Sequence, residues 1–252
     1  MIIFLHSLFV HATPLAQEPL IQPLNDAQIN WTQMQLEAHS SYASRTQSWG
    51  YRESLACQNV SKKIHEYIGE VPVSAHDTIS TLQENPQIKG DFVDGLRDWK
   101  TAESRYIHEE HEVEVHGYLS LQAYLRKSLI HFANSSVTDD PEIHTGLIID
   151  ARGTDFQPVV MPQVFGASGE LLFDIQDFSK KSAQDTLPVR YVRTPVDPLC
   201  AQIVGKTPAM VRAEKSVDGG LILATPSALP NTSDLKAISA KGKIVIVLSP
   251  FP

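Results

Sequence analysis

Residues 44–69 read SRTQSWGYRESLACQNVSKKIHEYIG, and this stretch decides the fold. Trp49, Ala56, Cys57, Val60, Ile64, Tyr67 and Ile68 recur at three- and four-residue steps, the period of one helical face. The spacing predicts a long helix that begins near Ser44 and stops at Gly69. Glu53 falls on the apolar side, so it needs a cationic partner or the first turn hangs clear of the core.

On either side the period drops to two. INWTQMQLEA (29–38) alternates and then changes phase, which predicts a strand broken by a turn near Thr32. After the helix, VPVSA (71–75) reads as a strand. TLQENPQIKGDFVDGL (81–96) is too broken to assign beyond a short helix at Asp91–Leu96. WKTAESRYI (99–107) and EVEVHGYLSL (112–121) flank a polar tip as paired strands, and LQAYLRKSLIHF (121–132) returns to helical spacing. The remainder is β-rich. TGLIID (145–150), PLCAQIVG (198–205), PAMVRAE (208–214), GLILA (220–224) and GKIVIVLS (242–249) read as strands. QPVVMPQVFG and ELLFDI form a hairpin through Ala167–Gly169, and SDLKAIS (233–239) is a short helix. The expectation is an α+β chain: a long helix packed on a mainly antiparallel sheet, residues 28–135, followed by a β-rich half, residues 136–252.

Residues 1–27 read as a signal-peptide remnant and an extended, Pro-rich leader. Ile2 to Val10 is apolar, and Val10-His11-Ala12 suits cleavage by a signal peptidase after Ala12; a buried N-terminal strand is the competing reading. The run is too short to span a bilayer. A formal charge of -8 with no Lys/Arg cluster argues against nucleic acid as a partner. Two cysteines, Cys57 and Cys200, form a disulfide if the chain is exported, or remain two packed thiols.

Among the chemical candidates, Asp150 and Arg152 close the run TGLIIDARG (145–153). On a strand they share a face, so they make a structural ion pair that latches the strand end, with Gly153 freeing the backbone to turn. The functional alternative is an anion site at Arg152 with Asp150 as base and His144 nearby, in a secreted hydrolase. HEEHEVEVH (108–116) offers histidines and carboxylates, but H-E-E-H lacks the spacing that puts both histidines on one helical face. It reads as a solvated hairpin tip, with no metal and no cofactor expected. FGASGE is not G-x-S-x-G, and no phosphate-binding glycine motif occurs.

The order of these pieces resembles the group of bacterial envelope proteins that includes the FlgP-type flagellar outer-membrane lipoproteins. The resemblance rests on INWTQMQLEA, VSKKIHEYIGEVPVS, DWKTAESRY with EVEVHGYLSL, TGLIIDARGTDFQPVVMPQVFGASGELLF, VGKTPAMVRAE and KGKIVIVL. It implies export and, for some members, a place in flagellar or surface assemblies; the absence of a nucleophile–base pair in the sequence then favours an interaction or assembly role with a protein partner over the hydrolase alternative. Without a processed N-terminal cysteine, the implied location is periplasmic or secreted.

Overall fold

The computed structural model describes residues 18–134, 143–224 and 229–251. The leader with its cleavage motif lies outside them, apart from its last ten residues. The fold is α+β. Strands β1 (Ile21–Pro23), β2 (Ala27–Asn30) and β3 (Gln35–Ala43) come first, then helix α1 (Trp49–Tyr67). The short helices α2 (Ile79–Gln83) and α3 (Lys89–Gly95) lead to β4 (Lys100–Ile107), β5 (Glu112–Ser120) and α4 (Leu121–Phe132). These strands form one antiparallel sheet in the order β1-β2-β3-β5-β4.

The phase change in INWTQMQLEA is the β2–β3 turn, where Met34 takes a left-handed φ of 55°. Ser48 caps α1 by accepting from the Tyr51 N–H. The helix buries Ala56, Val60, Ile64 and Tyr67 against Leu36, Val113, Val115 and Leu119 of the sheet. Gly117 permits that approach, since a Cβ there would lie 2.8 Å from Val60 Cγ1 and 2.9 Å from Trp99. The first turn does hang clear, with Trp49 and Tyr51 exposed. The charged group that goes inside is Arg52, not Glu53. Its guanidinium donates to the His111 carbonyl and lies 4.9 Å above the Tyr106 ring.

The second half contains β6 (Leu147–Asp150), β7 (Val164–Phe165), β8 (Leu171–Phe173), β9 (Arg190–Val192), α5 (Pro198–Val204), β10 (Ala209–Val217), β11 (Gly220–Leu223), α6 (Thr232–Ala240) and β12 (Ile244–Val247). They build a seven-stranded sheet in the order β8-β7-β11-β10-β6-β12-β9. Its centre is parallel: β6 pairs with β10 and β12, and β9 pairs with β12. Burial on both faces explains why TGLIID and GKIVIVLS are continuous apolar runs. One face joins the core of the first half, where Trp31 meets Tyr191 edge-on at 5.6 Å. The other face carries Ile148, Val192, Val245 and Val247 beneath α5.

Three segments depart from the sequence reading. PLCAQIVG is the helix α5 rather than a strand, because Asp197 caps it through the Leu199 N–H and Pro198 occupies the first turn. VPVSA joins neither sheet; its Pro72 and Val73 carbonyls accept from the N–H groups of Val160 and Met161. QPVVMPQVFG keeps only β7 as strand, since Pro158 and Pro162 have no N–H to give a ladder.

Candidate functional site

The outer face of the first sheet, opposite α1, is where polar side chains converge. Alternation turns Gln35, Glu37 and His39 of β3 outward while Leu36, Ala38 and Ser40 face in. On β5 the outward set is Glu112, Glu114, His116 and Tyr118. Register then pairs Glu37 with Tyr118 and His39 with His116. The Glu37 carboxylate accepts from Gln28 Nε2 and from Asn30 Nδ2, each at 2.7 Å, so both its oxygens are held by β2. The imidazoles of His39 and His116 stack, with centroids 5.7 Å apart and planes at 23°. Glu103 of β4 sits opposite His116 at a bulge in that strand.

Above these side chains lies a hollow of about 730 Å³, walled by the β1–β2 turn at Pro23–Asp26 and by the β4 bulge at Ala102–Glu103. A second hollow of about 630 Å³ shares Gln35 and Tyr118 with it and continues to Trp99, Lys100 and Ala123. The two make one groove across the sheet. Amides, carboxylates, a phenol and imidazoles supply hydrogen-bond donors and acceptors, which suits binding of a polar or peptide-like ligand. At the groove's flank, among the described residues, β4 pairs only with β5 and forms the sheet edge.

Asp150 and Arg152 lie elsewhere, at the carboxyl end of β6. Arg152 donates from Nε to Asp150 Oδ1 at 2.8 Å and from Nη2 to Oδ2 at 2.7 Å, and its own N–H also reaches Oδ1 at 3.2 Å. Hydrogen bonding from Arg152 holds the Asp150 carboxyl below the usual carboxylate range, with Arg212 of the neighbouring β10 adding a smaller pull. Gly153 adopts φ 86°, and the Thr154 N–H closes the turn on the Ala151 carbonyl. A hollow of about 280 Å³ lies beside Arg152 and Arg212.

His144 is not part of this cluster. It precedes the amino end of β6, where its N–H and that of Ile143 donate to the buried Asp234 carboxylate at 3.2 Å each. Strand β6 runs between it and Asp150, which places the two at opposite ends of that strand. The structure thus brings Asp150 and Arg152 together and pairs His144 with Asp234 instead.

The Cys57–Cys200 bond is not formed, and both thiols are free. Cys57 packs beside the core between α1 and the first sheet, whereas Cys200 lies under α5 in the separate cluster on the far face of the second sheet. The H-E-E-H segment is the β4–β5 turn. Its His111 carbonyl accepts from Arg52 and from the Ser44 N–H, and His108 stacks edge-on with Tyr106 at 4.5 Å. A side-chain hydrogen bond with Glu112, followed by repulsion from the same carboxylate, raises the Glu110 carboxyl. Among the described residues no group of three His, Cys, Asp or Glu side chains converges as a preformed metal centre.

Sequence reasoning missed the groove. Helix α1, the short helices α2 and α3 and strand β4 all lie between β3 and β5 in the chain, so nothing local fixes His39 opposite His116.

Residues 146–250 match the bacterial family described as Treponema pallidum Tp0624, second domain. The match is under half of the 252-residue chain and covers the seven-stranded sheet from just before β6 to just past β12. It includes the Asp150–Arg152 latch and excludes the groove. No curated protein matches the chain. Among the described residues no helix is long and apolar enough to cross a membrane.

Proposed function

We propose that this chain is an exported, non-enzymatic interaction protein of the bacterial envelope, periplasmic or secreted, and kin to the FlgP-type group. The single observation that carries the reading is the groove across the open face of the first sheet, lined by hydrogen-bonding side chains and flanked by the edge strand β4. A groove of this kind accepts an extended segment of a protein partner, whose main-chain amides find Gln28, Gln35, Glu37 and Tyr118 along its floor. The apolar run Ile2–Val10 with Val10-His11-Ala12 supports export, and the bacterial family matched by the second half agrees with a bacterial setting. The separation of His144 from Asp150 weighs against the hydrolase reading.

Fractionating host cells and sizing the protein under native conditions tests this. The expected result is a periplasmic or extracellular chain that elutes in a complex larger than its monomer. Tyr118→Arg, which fills the groove, should return it to monomer size. A cytoplasmic chain, or a monomer unaffected by Tyr118→Arg, contradicts the proposal.

A further inference from the structure

We propose that His39 and His116 form a binding site for a divalent transition-metal ion of the zinc, copper or nickel class, independently of what the groove takes as partner. The two residues are direct cross-strand partners on the outer face, so their Cβ atoms lie about 5 Å apart on the same side of the sheet. Two imidazoles that share one metal at about 2.0–2.1 Å from nitrogen bring their ring centroids to roughly 5 Å. The observed 5.7 Å lies within about an ångström of that separation, and the stacked rings, with planes at 23°, turn about their side-chain torsions so that one nitrogen lone pair from each converges on the ion. A core-facing histidine pair lacks this freedom, but both of these side chains are exposed beneath the open hollow, which leaves room for the ion and its waters.

The electrostatic setting favours a cation. Glu103 continues the same row on β4, directly across from His116, and Glu37 and Glu114 stand two residues from His39 and His116 on their own strands. Two cations are near: Arg105, paired across from Glu114, and Lys63, which donates to the His39 carbonyl at 3.0 Å. Carboxylates thus outnumber cations around the pair. Among the described residues no third His, Cys, Asp or Glu joins the pair as a preformed ligand, so the chelate rests on two imidazole nitrogens with water completing the shell. Nitrogen donors select zinc, copper and nickel over magnesium and calcium, which want oxygen cages.

The test is calorimetric titration of the metal-stripped full chain with Zn²⁺, and electron paramagnetic resonance of the Cu²⁺ form. One equivalent is expected to bind, with a copper spectrum showing nitrogen ligation. His39→Ala and His116→Ala should each weaken binding by at least about ten-fold and lose that nitrogen signature. The double variant His108→Ala/His111→Ala, at the hairpin tip, should bind as the natural chain does. Unchanged thermal melting verifies that the exposed substitutions leave the fold intact. Absence of saturable binding, or binding that survives His39→Ala and His116→Ala, overturns the proposal.

Discussion

Gly146→Ala is the substitution by which the architecture of the second half is most exposed to test. Gly146 immediately precedes β6, and α5 crosses directly over it. A Cβ at this position would lie 2.5 Å from Val204 Cα and 2.6 Å from both its Cβ and its carbonyl oxygen. Two of those three atoms are helix backbone, so no side-chain rotation relieves the clash and α5 must shift by nearly an ångström. The same end of α5 is tied to the strand by Thr145, whose hydroxyl donates to the Val204 carbonyl at 2.7 Å and accepts from the Thr207 N–H at 3.0 Å. Overpacking costs about 1–3 kcal/mol, and a disturbed hydrogen bond adds about 1 kcal/mol. Gly146 has no positive φ, so alanine recovers about 0.4–1 kcal/mol by narrowing the unfolded ensemble. The net loss is about 1–3.5 kcal/mol, centred near 2, and at roughly 2–4 °C per kcal/mol the melting temperature should fall by about 4–8 °C at that centre. Thermal and urea unfolding followed by circular dichroism measure it. A melting temperature within about 2 °C of the natural chain would refute the placement of α5 across β6.

Other outcomes follow from the same structure. Asp150→Asn replaces an acceptor of three hydrogen bonds; with Arg152 half exposed the loss should be about 1 kcal/mol, a drop of about 2–4 °C at pH 7. Because the folded Asp150 carboxyl is lowered, its contribution is present above the unfolded value of about 3.9 and is lost as pH falls through the folded value, so the two melting curves should converge in acid. Arg52→Met, which strips the buried donor from the His111 carbonyl, should destabilise by about 1.5–3 kcal/mol in chemical denaturation; an unchanged midpoint would contradict the anchoring of the β4–β5 turn. Alkylation without reductant should label Cys57 first and Cys200 slowly, because Cys200 is buried and burial pushes its thiol up; both should label fully in urea, and a thiol that resists there would contradict two free cysteines.

The parts of the fold visible in the sequence are those whose signal is local. The helical period of Ala56–Ile68 and the alternation of Glu112–Leu119 each report a face that packs where the period puts it, whereas Trp49 on the same stripe stays exposed on the first turn. Reading failed where a short apolar segment carried no period of its own. PLCAQIV has apolar residues that fit either a strand or two helical turns, and the deciding signal was the cap, Asp197 before Pro198. The parallel centre of the second sheet was invisible because β6, β10 and β12 are paired across long intervals of sequence. The same limit hid the groove, because His39 opposite His116 is a fact of register between strands far apart in the chain. The Asp150–Arg152 pair was legible because two residues apart on a strand is a local relation.

Photocross-linking in the host cell addresses the binding role of the groove most directly. A photoreactive side chain at Gln35, which lines both hollows, should capture one discrete envelope protein, and the same group at the exposed Ala201 on α5 should capture none. No adduct from Gln35, or equal adducts from both positions, would contradict a working groove on the open face of the first sheet.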